Sequence, residues 1–365
     1  MPRPTTDPQP PIAEHVLYVT SPGTQIGTRQ NQYVVRDVGD SDSNSKSEKA
    51  DPKSSTDREA DNPGEQHGGE RLAAFPVEKV ETINVFGQGV DVTTATIATA
   101  AKHETVINFF TVNGRYRGRF TPEDTSVAVL HRQQHELDDE MRRGIAKRFV
   151  HGKVINARRY LERKGISVDS DAPLATAPKR IQTADSIETV RGVEGEAARH
   201  YFDLYDRTLA EGWTMAGRSR RPPGDEVNSL LSLTYTFLQR ECEAALRQVN
   251  LDPYVGIFHE MRHGRPALAL DLLEEFRRAF ADPFVARLIN RETIGHEDFT
   301  AEWKLRDEAF DLYVGKFDSY MGERLSHERL QRRLTRREVV RLQSNLLRKR
   351  VTGELETYPP FKVSR

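Results

Sequence analysis

The stretch IFHEMRHGRPALALDLLEEF, Ile257 to Phe276, admits two readings that lead to different folds. Within it HEMRH (His259, Glu260, His263) fits the H-E-x-x-H pattern of zinc peptidases, in which two His bind the ion and the Glu is general base. That reading requires a regular helix through the motif, so that both imidazoles, one turn apart, aim at one ion. Gly264, Arg265 and Pro266 follow at once. Pro266 disfavours helical geometry at Arg265, and its missing N–H is best tolerated in a helix's first turn. The sequence therefore predicts a helix that starts near Pro266 and runs through ALALDLLEEFRRAF, with HEMRH in the loop before it.

On that helix Asp271 and Glu274 are three apart and share a face. Two carboxylates on one face repel unless a cation lies between them. The cation is either a divalent metal or one of the arginines that follow, Arg277 and Arg278. One His with several carboxylates suits magnesium or manganese, with oxygen donors completing the shell, although plain ion-pair networks give the same pattern. Upstream, GVEGEAARHYFDLYD places Gly195 inside a helical pattern, at a cost of about 1 kcal/mol relative to Ala. A neighbouring helix or a substrate backbone approaching closely would account for it. Glu194 flanks that glycine and Arg199 lies one turn on.

Further out, the chain reads as α+β: a small N-terminal mostly-β domain followed by a larger all-helical one. HVLYVT and NQYVVRDV, bracketing SPGTQIGT, predict two strands joined by a turn. Gly39 to Glu70 contains no large apolar residue and reads as a disordered insertion. Strand character resumes in FPVEKVETINVFG; DVTTATIATAAKHE predicts a helix and TVINFFTVNGRYRGRF a strand, turn and strand. Helical spacing begins at TPEDTSVAVLHRQQHELDDEMRRG and recurs in SIETVRGVEGEAARHYFDLYDRTL, DEVNSLLSLTYTFLQRECEAALRQV and SHERLQRRLTRREVVRLQSNLLRKR. The polar SVDSDAPLATAPKRIQTAD reads as a connector. The boundaries so drawn are 1–120 for the β domain, 121–350 for the helical catalytic domain and 351–365 for a C-terminal tail.

The 365 residues carry a net charge of -1, with 30% charged and 36% hydrophobic residues, which suits a soluble chain with a modest core. A single cysteine, Cys242, forms no internal disulfide, and neither a signal-peptide h-region nor a membrane span is visible, so a cytoplasmic setting is expected. The near-zero net charge hides basic segments: ARRYLERKG, GRSRRPPGDEVN and the final helical pattern, where Leu330, Leu334, Leu342 and Leu346 fall on one side among arginines. Several such patches favour a nucleic-acid partner, the competing reading being solvated faces balanced by nearby acids.

Three segments carry a resemblance: RGVEGEAARHYF, RSRRPPGDEVNSLLSLTYTFL and LDPYVGIFHEMRHGRPALALDLLEEFR. In this order and with these gaps they resemble the CRISPR-associated spacer-acquisition integrase family (Cas one), and HVLYVTSPGTQIG to NFFTVNGRYRGRF is similar to that family's β domain. The resemblance implies a metal set of Glu194, His259 and Glu274 for Mg2+ or Mn2+, with Asp271 as a supporting acid. Arg221, Pro222, Pro223 and Asn228 match a family pattern of structural or DNA-contacting role; Ile257 stands where the family often has Phe. The implied function is a metal-dependent endonuclease and integrase that inserts short double-stranded DNA fragments at a CRISPR repeat by 3′-OH attack, in antiviral defence. It would work as a homodimer with the small partner Cas two. Rival readings are a nuclease on branched DNA without integration, a non-catalytic DNA-binding scaffold, and the zinc peptidase, which needs Glu260 and His263 and has no use for Glu194.

Overall fold

A computed structural model describes residues 15–19, 21–39, 70–110, 116–122, 127–215, 217–218 and 223–364, in two compact units, 1–125 and 126–365. In the first unit β1 (His15–Val19), β5 (Val80–Phe86) and β7 (Val106–Phe110) run parallel, and β8 (Tyr116–Phe120) adds antiparallel to β7. A second sheet has the order β4 (Glu70–Pro76), β3 (Gln32–Asp37), β2 (Thr24–Arg29), β6 (Val90–Val92). The pairing of HVLYVT with NQYVVRDV does not form: TQIGTR, inside the expected turn, is itself strand β2. The tight turn falls instead at Gln30 and Asn31, whose φ of 49° and 60° suit a two-residue hairpin loop.

Helix α1 (Thr94–Lys102) forms where DVTTATIATAAKHE predicts it, capped by Thr93 accepting from the Thr96 N–H. Leu17, Val19, Ile26, Ile83 and Ile107 form the core, with Ala100 of α1 packed into it. Tyr33 is wholly buried there, its hydroxyl donating to Thr105. The turn of the last hairpin and residues 40–69 of the expected insertion lie outside the described residues.

The second unit is helical: α2 (Val127–His135), α3 (Asp139–Arg163), α4 (Pro173–Thr183), α5 (Ile187–Tyr205), α6 (Glu226–Gln248), α7 (Ala267–Phe276), α8 (Asp282–Asn290), α9 (Asp307–Gly322) and α10 (Arg336–Val351). Asp138, Ser186 and Asp225 cap α3, α5 and α6 by accepting the N–H of Met141, Thr189 and Asn228. Helix α7 starts just after Pro266, as its chemistry predicts, and is buried on nearly every side. The chain passes from α7 to α8 through one π turn, Arg277–Ala281. Buried Arg278 there lies 4.2 Å from the Tyr201 ring centroid and 4.3 Å from that of Phe202, and pairs with Asp282. Among the described residues no helix is long and apolar enough to cross a membrane.

Three expectations for this unit need correction. The polar connector contains α4, which has Pro173 at its first turn, where proline is tolerated, and buries Leu174, Ala177 and Ile181 on one face. The final helical pattern is half hairpin: β9 (Arg324–His327) pairs antiparallel with β10 (Arg332–Thr335), and only then does the Thr335–Glu338 capping box open α10. The expected leucine stripe therefore dissolves; Leu330 is exposed in the hairpin turn, and α10 buries Val339, Val340, Leu347 and Val351. The segment read as a tail is packed, with Tyr358, Phe361 and Val363 all buried. Asn156 of α3 holds it, donating to the carbonyl of Phe361 and accepting from the Val363 N–H.

Candidate active site

Three carboxylates of α7 are buried, and each is satisfied differently. Asp271, fully buried, accepts backbone N–H groups of Ile257 (2.6 Å), Phe258 (3.0 Å) and His259 (2.8 Å), and lies 2.6 Å from His259 Nδ1. It thus folds the preceding loop around itself and supports His259 from behind. With Nδ1–H directed at this carboxylate, the Nε2 lone pair is the one left for an ion or a proton. Gly256 is required by close approach: a Cβ there would stand 2.4 Å from the His259 carbonyl oxygen and 2.6 Å from the Ala267 Cβ.

Other helices pin the same loop. Gln134 of α2 donates to the carbonyls of Asp252 (2.8 Å) and Val255 (3.2 Å), Arg142 of α3 to that of Gly256 (3.0 Å), and Arg191 of α5 to that of Phe258 (2.6 Å). HEMRH does not lie on a helix. Glu260 and His263 are exposed, and Glu260 pairs with Arg262 at 3.0 Å. The helical pair of histidines that the zinc peptidase needs is absent, so that reading falls.

Glu274 accepts from Arg277 Nε at 2.9 Å, so the ordinary intrahelical ion pair is part of the answer. Its other oxygen contacts Lys153 Nζ, and the same ammonium contacts Glu194 of α5. One cation from α3 therefore joins Glu194 and Glu274, eighty residues apart in sequence. Burial works against the charge on Glu274, but Arg277, Lys153 and His259 outweigh it and hold its carboxyl well below the usual range. The adjacent Glu275 goes the other way. Its partners are Tyr358 (2.6 Å), the Phe361 N–H (2.6 Å) and Gln343 (3.0 Å), none of them a cation, and burial pushes it up to about 8.

The structure thus joins Glu194 and Glu274 through Lys153 and sets Asp271 against His259 Nδ1, while His259 reaches Glu274 through its charge. Two carboxylates and an imidazole suit a hard divalent cation, and the two carboxylates already converge on a single cationic atom. Among the described residues no three His, Cys, Asp or Glu donors are gathered closely enough to hold an ion as placed; the Lys153 ammonium contacts both Glu194 and Glu274. Arg199 is exposed, and the carboxylate its charge reaches is Glu196. Asn228 is buried; its amide donates to the Gly217 carbonyl (2.9 Å) and accepts from Arg218 (2.7 Å), a role in shaping the loop. Arg221 and Pro222 lie outside the described residues.

Lys153 was missed from sequence, though it sits among Phe149, Val150, Val154 and Ala157 on the buried face of α3, where a lysine needs a reason. The basic segments prove partly structural: Arg159 pairs with Glu328, Arg336 with Glu323, and Arg337 with Glu241 and Asp318. Gly195 is exposed and a Cβ on it would meet nothing within 4 Å, so packing of a neighbouring helix does not explain it.

The family model described as CRISPR associated protein Cas1 matches residues 17–318. A curated relative, the CRISPR-associated endonuclease Cas1 4 of Methanospirillum hungatei JF-1, is 44% identical over 297 residues, 81% of this chain and 85% of its own. Among solved structures, a casposase bound to integration product superposes with a TM-score of 0.68 at 19% identity, covering 96% of this chain and 99% of its own. A chain of a partial Cas6-RT-Cas1–Cas2 complex gives 0.70 at 18% identity, covering 97% and 100%.

Proposed function

The chain belongs to the Cas1 family of CRISPR-associated proteins, and from that premise we propose that it is a divalent-metal-dependent DNA endonuclease and integrase that joins short DNA fragments to a CRISPR array. The observation that carries this reading is the convergence of Glu194 and Glu274 on one cationic centre. Glu194, Glu274 and His259, through Nε2, are the residues that would hold Mg2+ or Mn2+. When bound, such an ion polarises a phosphodiester and stabilises the leaving 3′-oxygen.

The chain's own residues do the rest. Asp271 fixes the imidazole tautomer and, with Arg191, holds the His259 loop against α5 and α7. Arg277 keeps Glu274 ionised. The open face at Gly195, next to Glu194, gives a DNA backbone room to approach. The fold shared with the casposase and with the Cas1–Cas2 assembly supports DNA and a small Cas2 protein as partners.

Strand transfer tests the reading. Wild type and the variants Glu194→Ala, His259→Ala and His263→Ala would be incubated with a labelled duplex and a supercoiled plasmid carrying a repeat, in magnesium, manganese, zinc or EDTA. Label joined to the plasmid in magnesium or manganese, lost in the first two variants and kept in the third, is the expected result. Nicked plasmid without joined label would leave only the nuclease; no metal-dependent DNA product at all would refute the proposal. A subtler expectation concerns Gly195→Ala. It should stabilise the protein by about 0.5–1 kcal/mol through helix propensity while weakening DNA binding, measured by urea unfolding and by fluorescence anisotropy. Unchanged affinity would remove DNA approach as the reason for this glycine.

A further inference from the structure

The ion pairs that account for Arg159, Arg336 and Arg337 leave the β9–β10 hairpin unexplained. Between Arg324 and Thr335 the chain has four arginines, Arg324, Arg329, Arg332 and Arg333, and a single carboxylate, Glu328. All four arginines are exposed, and none pairs with a carboxylate among the described residues. Glu328 pairs with Arg159 of α3 at 3.0 Å, and Glu323, just before the hairpin, pairs with Arg287 and Arg336. At His327, on the inner face, burial and then Arg329 lower the imidazole pKa, and Arg329 outweighs the opposing Glu328. The local field is therefore net positive.

Strand pairing sorts these cations. Leu325 opposes Leu334 and His327 opposes Arg332; the first is half-buried and Leu334 and His327 are buried, so this face lies against the protein, with Arg332 exposed at its turn end. The alternate residues Arg324, Ser326 and Arg333 are exposed on the other face. Arg333 opposes Ser326 and Arg324 opposes Thr335, so the two arginines are diagonal neighbours across the ribbon, about 7–8 Å apart. That is close to the step between successive phosphates along one DNA strand. The ribbon is also pinned in place: Ser364 Oγ donates to the Ser326 carbonyl (2.9 Å), and His327 bridges to Val363. Arginines on a fixed backbone meet a polyanion at a lower ordering cost.

We propose that the outer face of this ribbon, with its turn, is a contact surface for the phosphate backbone of duplex DNA, outside the metal site. Arg324 and Arg333 take successive phosphates of one strand, their planar guanidinium forks suited to phosphate oxygens, and Arg329 and Arg332 extend the row at the turn. DNA as the polyanion rests on the function proposed above; the spacing favours it over an acidic protein, whose carboxylates have no fixed step. Contacts of this kind position a duplex without reading its sequence. Through Arg159 the ribbon is tied to α3, the helix that carries Lys153, roughly 9 Å further along its axis.

The test is fluorescence anisotropy of the full chain with a labelled duplex in EDTA over a series of salt concentrations, with poly-glutamate titrated in parallel. Wild type would be set beside the double variant Arg324→Gln, Arg333→Gln, the quadruple variant that adds Arg329→Gln and Arg332→Gln, and Leu330→Ser. The last alters the same exposed turn without changing its charge. A tenfold or greater loss of affinity is expected in the quadruple variant. The slope of log affinity against log salt should be shallower by about two in the double variant and by about two to four in the quadruple. Leu330→Ser should bind as wild type does, and all melting temperatures should stay unchanged. Metal-dependent nicking of plasmid should persist in the quadruple variant at saturating DNA, with a raised KM; its loss there would overturn the separation from the metal site. Wild-type affinity and slope in the quadruple variant would overturn the proposal and leave the function proposed above standing, whereas no DNA binding by wild type would overturn both. Loss of poly-glutamate binding in the variants with DNA binding intact would assign the ribbon to an acidic protein instead.

Discussion

Lys153→Met should destabilise the protein by about 3–5 kcal/mol in the presence of a chelator, because it strips the shared cation from the buried Glu274 and the partly exposed Glu194. The lysine and Glu274 side chains are 7% and 5% exposed, so little solvent screening softens the loss. Arg277 stays on Glu274, but Glu194 loses its partner and faces a like charge. If the site takes a divalent ion as proposed, that ion would supply the missing charge, so magnesium or manganese should recover more stability in Lys153→Met than in wild type. Urea unfolding in EDTA and in magnesium measures both quantities. A loss under about 1 kcal/mol, or equal responses to metal in the two proteins, would show that the ammonium is not the counter-charge holding this site together.

The second large effect is on the pH dependence of stability, and it comes from Glu275. Burial raises its carboxyl to about 8 from a usual 4.5, while its hydrogen bonds from Tyr358, Phe361 and Gln343 pull less strongly the other way. The folded state therefore binds this proton more tightly than the unfolded chain does. Its contribution is fully present below about 4.5, is lost at up to ~1.4 kcal/mol per pH unit as pH climbs toward 8, and is gone above that. Across the window this amounts to a few kcal/mol. Glu275→Gln keeps the shape and, like the protonated acid, offers both a donor and an acceptor. Its stability should be flatter than wild type between pH 5 and 8 and higher at pH 8, by urea unfolding at each pH. Parallel curves for the two proteins would sink this account.

What could be read from sequence follows from which signals are local. Pro266 fixes the start of α7 because its ring and missing N–H act on adjacent residues, and that alone removes the peptidase reading. The caps at Asp138, Ser186 and Asp225 are equally local, though the sequence reading named none of them. Helix α4 was hidden because its two prolines and polar neighbours look like a linker, although Leu174, Ala177 and Ile181 keep helical spacing. The β9–β10 hairpin was hidden because an arginine-rich run has few apolar markers from which to tell period two from period 3.6. At the site, Glu194 and Glu274 were selected through family resemblance, since no spacing rule links residues eighty positions apart. Asp271 was visible as an acid, but its grip on three backbone N–H groups depends on a loop path that no local pattern encodes. Lys153 showed only as a charge on an apolar face.

Asn156 is fully buried, and its amide bonds to Phe361 and Val363, 205 and 207 residues later. This imposes an order in time. At a synthesis rate of roughly 5–20 residues per second, α3 leaves the ribosome roughly 10–40 s before the residues that satisfy it. Through that interval Asn156 and the neighbouring hydrophobic face of α3 have no native C-terminal cover, and Glu275, once made, lacks the Tyr358 and Phe361 donors. The helical unit can collapse early, but the polar groups of Asn156 and Glu275 find their partners only once residues 358–363 have been made.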